Sequence, residues 1–238
     1  LFPPIKTLAP SVFVVSTNFS ISSNLLAVLK GPNSTPSSIP LPIFNFFALS
    51  VSLSYAAPRE TVTTNIAFKT SKGDIIIELY NQIAPITVDN FLRHLDGGYY
   101  DGSSFYRTVT HQNDNGSPKI EVIQGGLGDI DKPFPAISHE STNITKLKHE
   151  DGTISMSRGE VNSATSDFFI CIGSQQGLDF GGERNNDGQG FAAFGKVIEG
   201  MDIVRDINGM PSNKKTDNEY VKGQMINNPI IIEKAVRL

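Results

Sequence analysis

The 238-residue sequence predicts a mainly β protein, a closed or two-layered antiparallel structure with helices plugging its openings. Three observations predict it. From about Thr61 the chain carries apolar segments of strand length, GDIIIELY, SSFYRTV, KIEVIQG, GTISMSR, SDFFICIG, FAAFGKV and NPIIIEKAVRL. Only two stretches show helical apolar spacing. No internal repeat points to a solenoid or propeller.

The elements follow in order. GDIIIELY alternates, with Ile75, Ile77 and Leu79 on one face and Ile76, Glu78 and Tyr80 on the other. APITVDNFLRHLDGG reads as a helix. Pro85 suits its first turn, where a missing N–H costs nothing, and Val88, Phe91, Leu92 and Leu95 form its apolar stripe. Gly97 is expected to supply its left-handed stop. GMDIVRDING reads as a second helix, with Met201, Val204 and Ile207 inward and Gly209 past its end. In SDFFICIG, Phe168 and Phe169 must face opposite sides, one toward the core and one free to line a cavity.

Residues 1–60 differ from the rest. They are rich in Ser, Pro, Leu and Phe, carry only Lys6, Lys30, Arg59 and Glu60 as charges, and contain the linker-like GPNSTPSSIPLP. IFNFFALSVSLSYAA within them has the apolar run and small-residue end of a secretory signal, with Ala56 or Ala57 before the cut. The expected organisation is a leader and linker over residues 1–60, disordered or cleaved, and one domain over 61–238. The expected location is extracytoplasmic if the leader is a signal and cytoplasmic otherwise.

Composition narrows the function. A net charge of −4, with Lys and Arg unclustered, does not suggest nucleic acid as a partner. No apolar run is long enough for a membrane-spanning helix. Cys171 is the single cysteine, so there is no internal disulfide, and it reads as a small buried hydrophobe. His94, His111, His139 and His149 lack metal-ligand spacing, so no metal is expected. GGLGD and GGERNNDGQG do not connect a strand to a helix start as a phosphate-binding loop must, and no nucleophile elbow is present.

Two polar residues stand among apolar neighbours. Arg107 lies in SSFYRTV and Gln124 in KIEVIQG, where the two-residue period puts Val122 and Gln124 on one face and Glu121 and Ile123 on the other. A buried polar group needs a partner and a buried charge needs more. Gln124 is either a satisfied structural glutamine or part of a pocket wall. Arg107 is either an ordinary ion pair or a pocket residue. Spacing alone leaves both open, along with a β-barrel that binds a small apolar ligand.

The order of motifs along the chain goes further. FYR, VIQGG, SMSRG with SATSDFF, GLD and FGKVIEGMDIV, from about Asn65 to Leu238, resemble the cyclophilin family of peptidyl-prolyl isomerases. SATSDFF is most similar to the bacterial extracytoplasmic branch. The resemblance implies an eight-stranded antiparallel closed barrel capped by two helices, with an active-site groove on its outer face. It implies Arg107 and Gln124 as catalytic residues, and a proline pocket of Val122, Phe169, Leu178 and Phe191. Backbone hydrogen bonds to the peptide would come from Arg158 and Gly159. No cofactor is implied. The implied partners are proline-containing peptides and unfolded proteins, with no membrane partner for the mature form, and the chain is expected to be monomeric. The departures are the long connection THQNDNGSPKIEV, Glu121 in place of the family's pocket phenylalanine, Asp167 in place of glutamine, and Gly177 where many members have tryptophan. Glu121 raises a rival, a catalytically weak proline-peptide-binding module on the same fold. Gly177 implies weak binding of the family's ligand cyclosporin, with Gly177→Trp restoring part of it.

Overall fold

A computed structural model describes residues 62–128, 130 and 132–238. The leader and linker expected over residues 1–60 lie outside the described residues. The strands are β1 Thr64–Thr70, β2 Gly73–Leu79, β3 Ser104–Val109, β4 Val122–Gly126, β5 Thr153–Met156, β6 Phe168–Cys171, β7 Ala192–Glu199 and β8 Met225–Arg237. They close into an antiparallel barrel in the order β1-β2-β7-β5-β6-β4-β3-β8, with β8 returning to β1. The helices are α1 Pro85–Asp96, the single turn α2 Thr142–Thr145 and α3 Met201–Asn208. The barrel, α1 and α3 are as expected, whereas β1 and α2 were not read from the sequence.

Alternation builds the interior. Ile66 and Phe68 of β1 point inward with Ile75, Ile77 and Leu79 of β2, all fully buried. Val88, Phe91, Leu92 and Leu95 of α1 and Val204 and Ile207 of α3 join the same apolar cluster. Its centre is aromatic. Phe168 stacks on Phe68 with ring centroids 5.2 Å apart, while Phe91, Tyr100 and Phe105 meet Phe168 edge-on. A Cβ at Gly125 would lie 3.0 Å from the Phe105 ring, so β4 needs glycine there to pass the aromatic cluster.

The ends of α1 differ from the sequence reading. Its capping residue is Ala84, which has no side-chain oxygen to offer. Glu140, 54 residues on, accepts from Ile86 N–H (3.2 Å), Thr87 N–H (2.7 Å) and Thr87 Oγ1 (2.7 Å). A carboxylate at a helix N-terminus satisfies free N–H groups and meets the positive end of the helix dipole. At the other end Gly97 is right-handed, with φ −76°, and the left-handed residue is Gly98, with φ 70°.

Candidate active-site groove

On the outer face of β3, β4 and β6 lies a second apolar cluster of Val109, Ile120, Val122, Phe169, Cys171 and Leu178, with Phe191 packed against it. Alternation explains most of it. Ile123 and Phe168 face the barrel interior, so Val122, Gln124 and Phe169 face outward. Phe169 meets Phe191 at 5.3 Å and 89°. Burial pushes the Cys171 thiol well above its ordinary pKa, so it stays protonated and packs as a hydrophobe.

Arg107 does not follow simple alternation. Phe105, two residues earlier, is fully buried inside the barrel, and an unbroken strand would send Arg107 the same way. The pairing of β3 with both β4 and β8 shifts register between Phe105 and Arg107. The extra residue, Tyr106, turns Arg107 outward, a common use of a bulge beside a functional site.

Three hydrogen bonds fix the guanidinium. Nη1 donates to Gln124 Oε1 at 2.8 Å, and Nε and Nη2 donate to Gln224 Oε1 at 2.9 and 2.6 Å. Both amides are themselves oriented. Gln124 Nε2 donates to Tyr106 Oη (2.8 Å) and Ser157 Oγ (3.2 Å), and Gln224 Nε2 donates to the Asn113 carbonyl (2.9 Å). Burial pulls the Arg107 pKa down, with Tyr220 and Tyr106 acting in the opposite sense, yet an arginine remains charged. Its hydrogen-bond partners are neutral amides, so its charge is positioned without being cancelled. Gln224 escaped the sequence reading because it sits in the loop leading to β8, 117 residues from Arg107.

Arg107, Val122, Gln124, Arg158, Phe169, Leu178 and Phe191 line one pocket of about 110 Å³. Gly159 does not. Its N–H donates to Ser163 Oγ at 3.0 Å and its carbonyl accepts from Arg158 Nη1 at 2.9 Å, so the loop itself uses both groups. The Arg158 side chain has a larger role than the resemblance implied. It pairs with Asp187 at 2.7 Å, donates through Nε to the Gly190 carbonyl at 2.8 Å, and lies over the Phe191 ring. The hydrogen-bonded pair with Arg158 holds the Asp187 pKa at about 2, and the contact with Phe191 braces that wall of the pocket.

The departures resolve as follows. Glu121 points away from the pocket toward His111, 3.6 Å distant, and Ile120 takes the apolar place beside Val122. The groove therefore keeps its apolar wall, and the premise of the weak-binding rival fails. Asp167 accepts from Gly128 N–H at 2.9 Å and pairs with Lys132 at 3.4 Å, holding the loop after β4. A Cβ at Gly177 would lie 2.5 Å from Pro118 Cγ. The long connection fills the space expected for a tryptophan, so Gly177→Trp cannot restore a groove contact without displacing Pro118.

Two further groups are absent from the sequence reading. Behind the pocket, His149 stacks on Phe169 at 6.0 Å; its Nδ1–H donates to Asp179 Oδ1 at 2.9 Å, and Nε2 lies 3.0 Å from Ser155 Oγ. In the pocket's own wall, Arg184 makes a two-pronged pair with Asp114, at 2.7 and 2.8 Å, and donates to Tyr220 Oη at 3.1 Å. This ties together the long connection, the glycine-rich loop after Phe180 and the segment before β8. No residue cluster suited to a metal occurs among the described residues.

Comparison with known proteins identifies the family. Residues 65–235 match the model of the family described as cyclophilin type peptidyl-prolyl cis-trans isomerase/CLD. Peptidyl-prolyl cis-trans isomerase A of Dickeya dadantii is 34% identical over 191 residues, 79% of this chain and 91% of that protein. Peptidyl-prolyl cis-trans isomerase B of Escherichia coli is 34% identical over 154 residues, 63% of this chain and 87% of that protein. A crystal structure of a Cryptosporidium parvum cyclophilin type isomerase shares the fold, with a TM-score of 0.58 at 23% identity over 74% of this chain and 98% of that one. The order of motifs, the barrel and these matches together establish that the chain belongs to the cyclophilin family of peptidyl-prolyl cis-trans isomerases.

Proposed function

We propose that this isomerase accelerates rotation about X–Pro bonds by seating the proline ring in the Phe169–Phe191 pocket and presenting the Arg107 guanidinium to the proline nitrogen. The observation that carries this reading is the setting of Arg107, a charged fork held by two amide oxygens at the rim of an apolar pocket.

The chemistry needs no nucleophile, proton carrier or cofactor, because no covalent bond forms or breaks. The barrier, roughly 20 kcal/mol, is the partial double bond of the amide. As the bond twists, conjugation is lost and the nitrogen regains a lone pair. A hydrogen bond from Arg107 to that lone pair exists only in the twisted state, so it lowers the barrier rather than merely tightening binding. Gln124 and Gln224 hold the fork before the substrate arrives, and no reorganisation is needed at the moment of twisting. The apolar walls of Ile120, Val122, Phe169, Leu178 and Phe191 exclude water, which would favour the planar, more polar amide.

The substrates are proline-containing peptides, and among proteins the unfolded chains whose X–Pro bonds can reach the groove. The chain works as a monomer, since one barrel supplies every group named. The signal-like segment ending at Ala56–Ala57 supports an extracytoplasmic site of action. The test of function is a protease-coupled isomerisation assay of the full chain on a short X–Pro peptide. Catalysis proportional to enzyme concentration is expected, and a rate equal to the uncatalysed one would overturn the reading.

A further inference from the structure

Between Thr61 and Leu238 the sequence holds two Asn-X-Ser/Thr triplets, Asn115-Gly116-Ser117 and Asn143-Ile144-Thr145. Such a triplet is the acceptor for an N-linked glycan in a secretory compartment, and the glycan persists only where the folded surface leaves it room. The fold treats the two asparagines differently.

Asn115 is committed to the structure. Its Nδ2 donates to the carbonyls of Glu219, Tyr220 and Lys222 at 3.4, 3.2 and 3.0 Å, tying the long connection to the segment before β8. A sugar on that nitrogen would replace one of its hydrogens and push the segment away. Pro118 also follows this triplet directly and confines Ser117 to extended backbone.

Asn143 has no such duty. It is exposed on the single turn α2, and its side chain makes no hydrogen bond among the described residues. With Thr142, Lys146, Lys148 and Phe180 it lines a cavity of about 210 Å³. The Phe180 N–H donates to Thr142 Oγ1 at 2.8 Å, which anchors Phe180 beside α2. Ile144 is 70% exposed and Phe180 43% exposed, so two large apolar side chains flank the asparagine. No residue lining this cavity lines the proline pocket.

We propose that Asn143 is an N-glycan acceptor, and that the first sugar rests its apolar face on Phe180 and shields Ile144. In the transfer, Nδ2 forms a bond to C1 of an oligosaccharide carried on a lipid diphosphate. The bond from C1 to the diphosphate oxygen breaks, the diphosphate leaves with the electron pair, and the amide gives up one proton. Thr145 sets the timing, because its hydroxyl is part of the triplet the transferase reads. In the folded protein Thr145 is buried and its Oγ1 donates to the Ser141 carbonyl at 3.4 Å. Transfer therefore precedes the folding of this turn.

The inference rests on the extracytoplasmic reading of the leader, and its test separates the two. The full chain is translated with microsomes, once as it stands and once with a cleavable signal added before Leu1. Protease-protected product is treated with peptide N-glycosidase and mapped by mass spectrometry, which also separates the leader triplets at Asn18 and Asn33. With the added signal, a glycan on the Asn143 peptide and none on the Asn115 peptide are expected. Asn143→Gln loses one step of gel mobility shift and keeps the isomerisation rate of the glycosylated chain. Protected product with Asn143 unmodified overturns the proposal, as does a glycan at Asn115 in its place. A glycosylated chain slower than Asn143→Gln overturns it as well. Protection only with the added signal sinks the leader reading and leaves the acceptor site standing.

Discussion

Arg107 and Arg184 share one aromatic neighbour, their guanidinium carbons 5.6 and 5.9 Å from the centre of the Tyr220 ring. Under the proposed mechanism, their surroundings separate structural from chemical use of the same side chain. Arg184 has a carboxylate across both prongs of its fork and a buried side chain, so its charge is cancelled where it stands. Arg107 has amide oxygens in the corresponding places, and its charge remains available to the adjoining pocket. A buried ion pair is expensive to break and does nothing further. A charge held by neutral groups is somewhat less well stabilised and can act on a substrate.

The largest effect is expected on the Arg184 side. Asp114→Ala leaves a buried guanidinium without its counter-charge, and breaking such a pair costs about 3–5 kcal/mol. Denaturant unfolding should show that loss, together with loosening of the long connection over Gly177. The pH dependence follows from the same pair. Burial favours the neutral form of Asp114, but hydrogen bonds from Arg184, Gly116 N–H and Ile120 N–H outweigh it and hold the carboxyl below its usual value. Its contribution to stability is therefore complete above the ordinary carboxylate pKa, near about 3.9, and is lost only as pH falls through the depressed folded value.

A smaller effect is expected from making Arg107 resemble Arg184. Gln224→Glu places a carboxylate where an amide oxygen now accepts two hydrogen bonds. The fold should be at least as stable, and kcat should fall roughly tenfold because the charge is partly cancelled before the proline nitrogen can use it. A rate equal to wild type with unchanged melting would break the comparison. The smallest effect belongs to Glu121→Gln, which lies outside the groove against an exposed His111. Its isomerisation rate should stay within about twofold of wild type.

Much of this arrangement was legible in the sequence wherever side chains alternate regularly. The period of two placed Val122 with Gln124, separated Phe168 from Phe169, and gave the inward set of β2. It could not place β1, whose TNIAFKT starts with polar residues at the edge of the leader-like region. It could not show that a bulge at Tyr106 turns Arg107 outward, because a bulge leaves no mark in the apolar pattern. Ile120 replaced Glu121 in the pocket because regular pairing begins only at Val122, and the preceding residues leave the strand geometry that the alignment assumed. Glu140, Gln224 and the Asp114–Arg184 pair act from irregular segments 53 to 117 residues away from their partners, a distance at which no periodicity informs.

The central claim is that Arg107 is placed for chemistry rather than for stability. Arg107→Ala tests it when isomerisation rate and thermal melting are measured on the same preparation. A melting temperature within a few degrees of wild type and a kcat/KM lowered by about 100- to 1000-fold are the predicted results. A folded variant retaining near-wild-type turnover would contradict the account, because the twisted amide would then be stabilised by something other than this guanidinium.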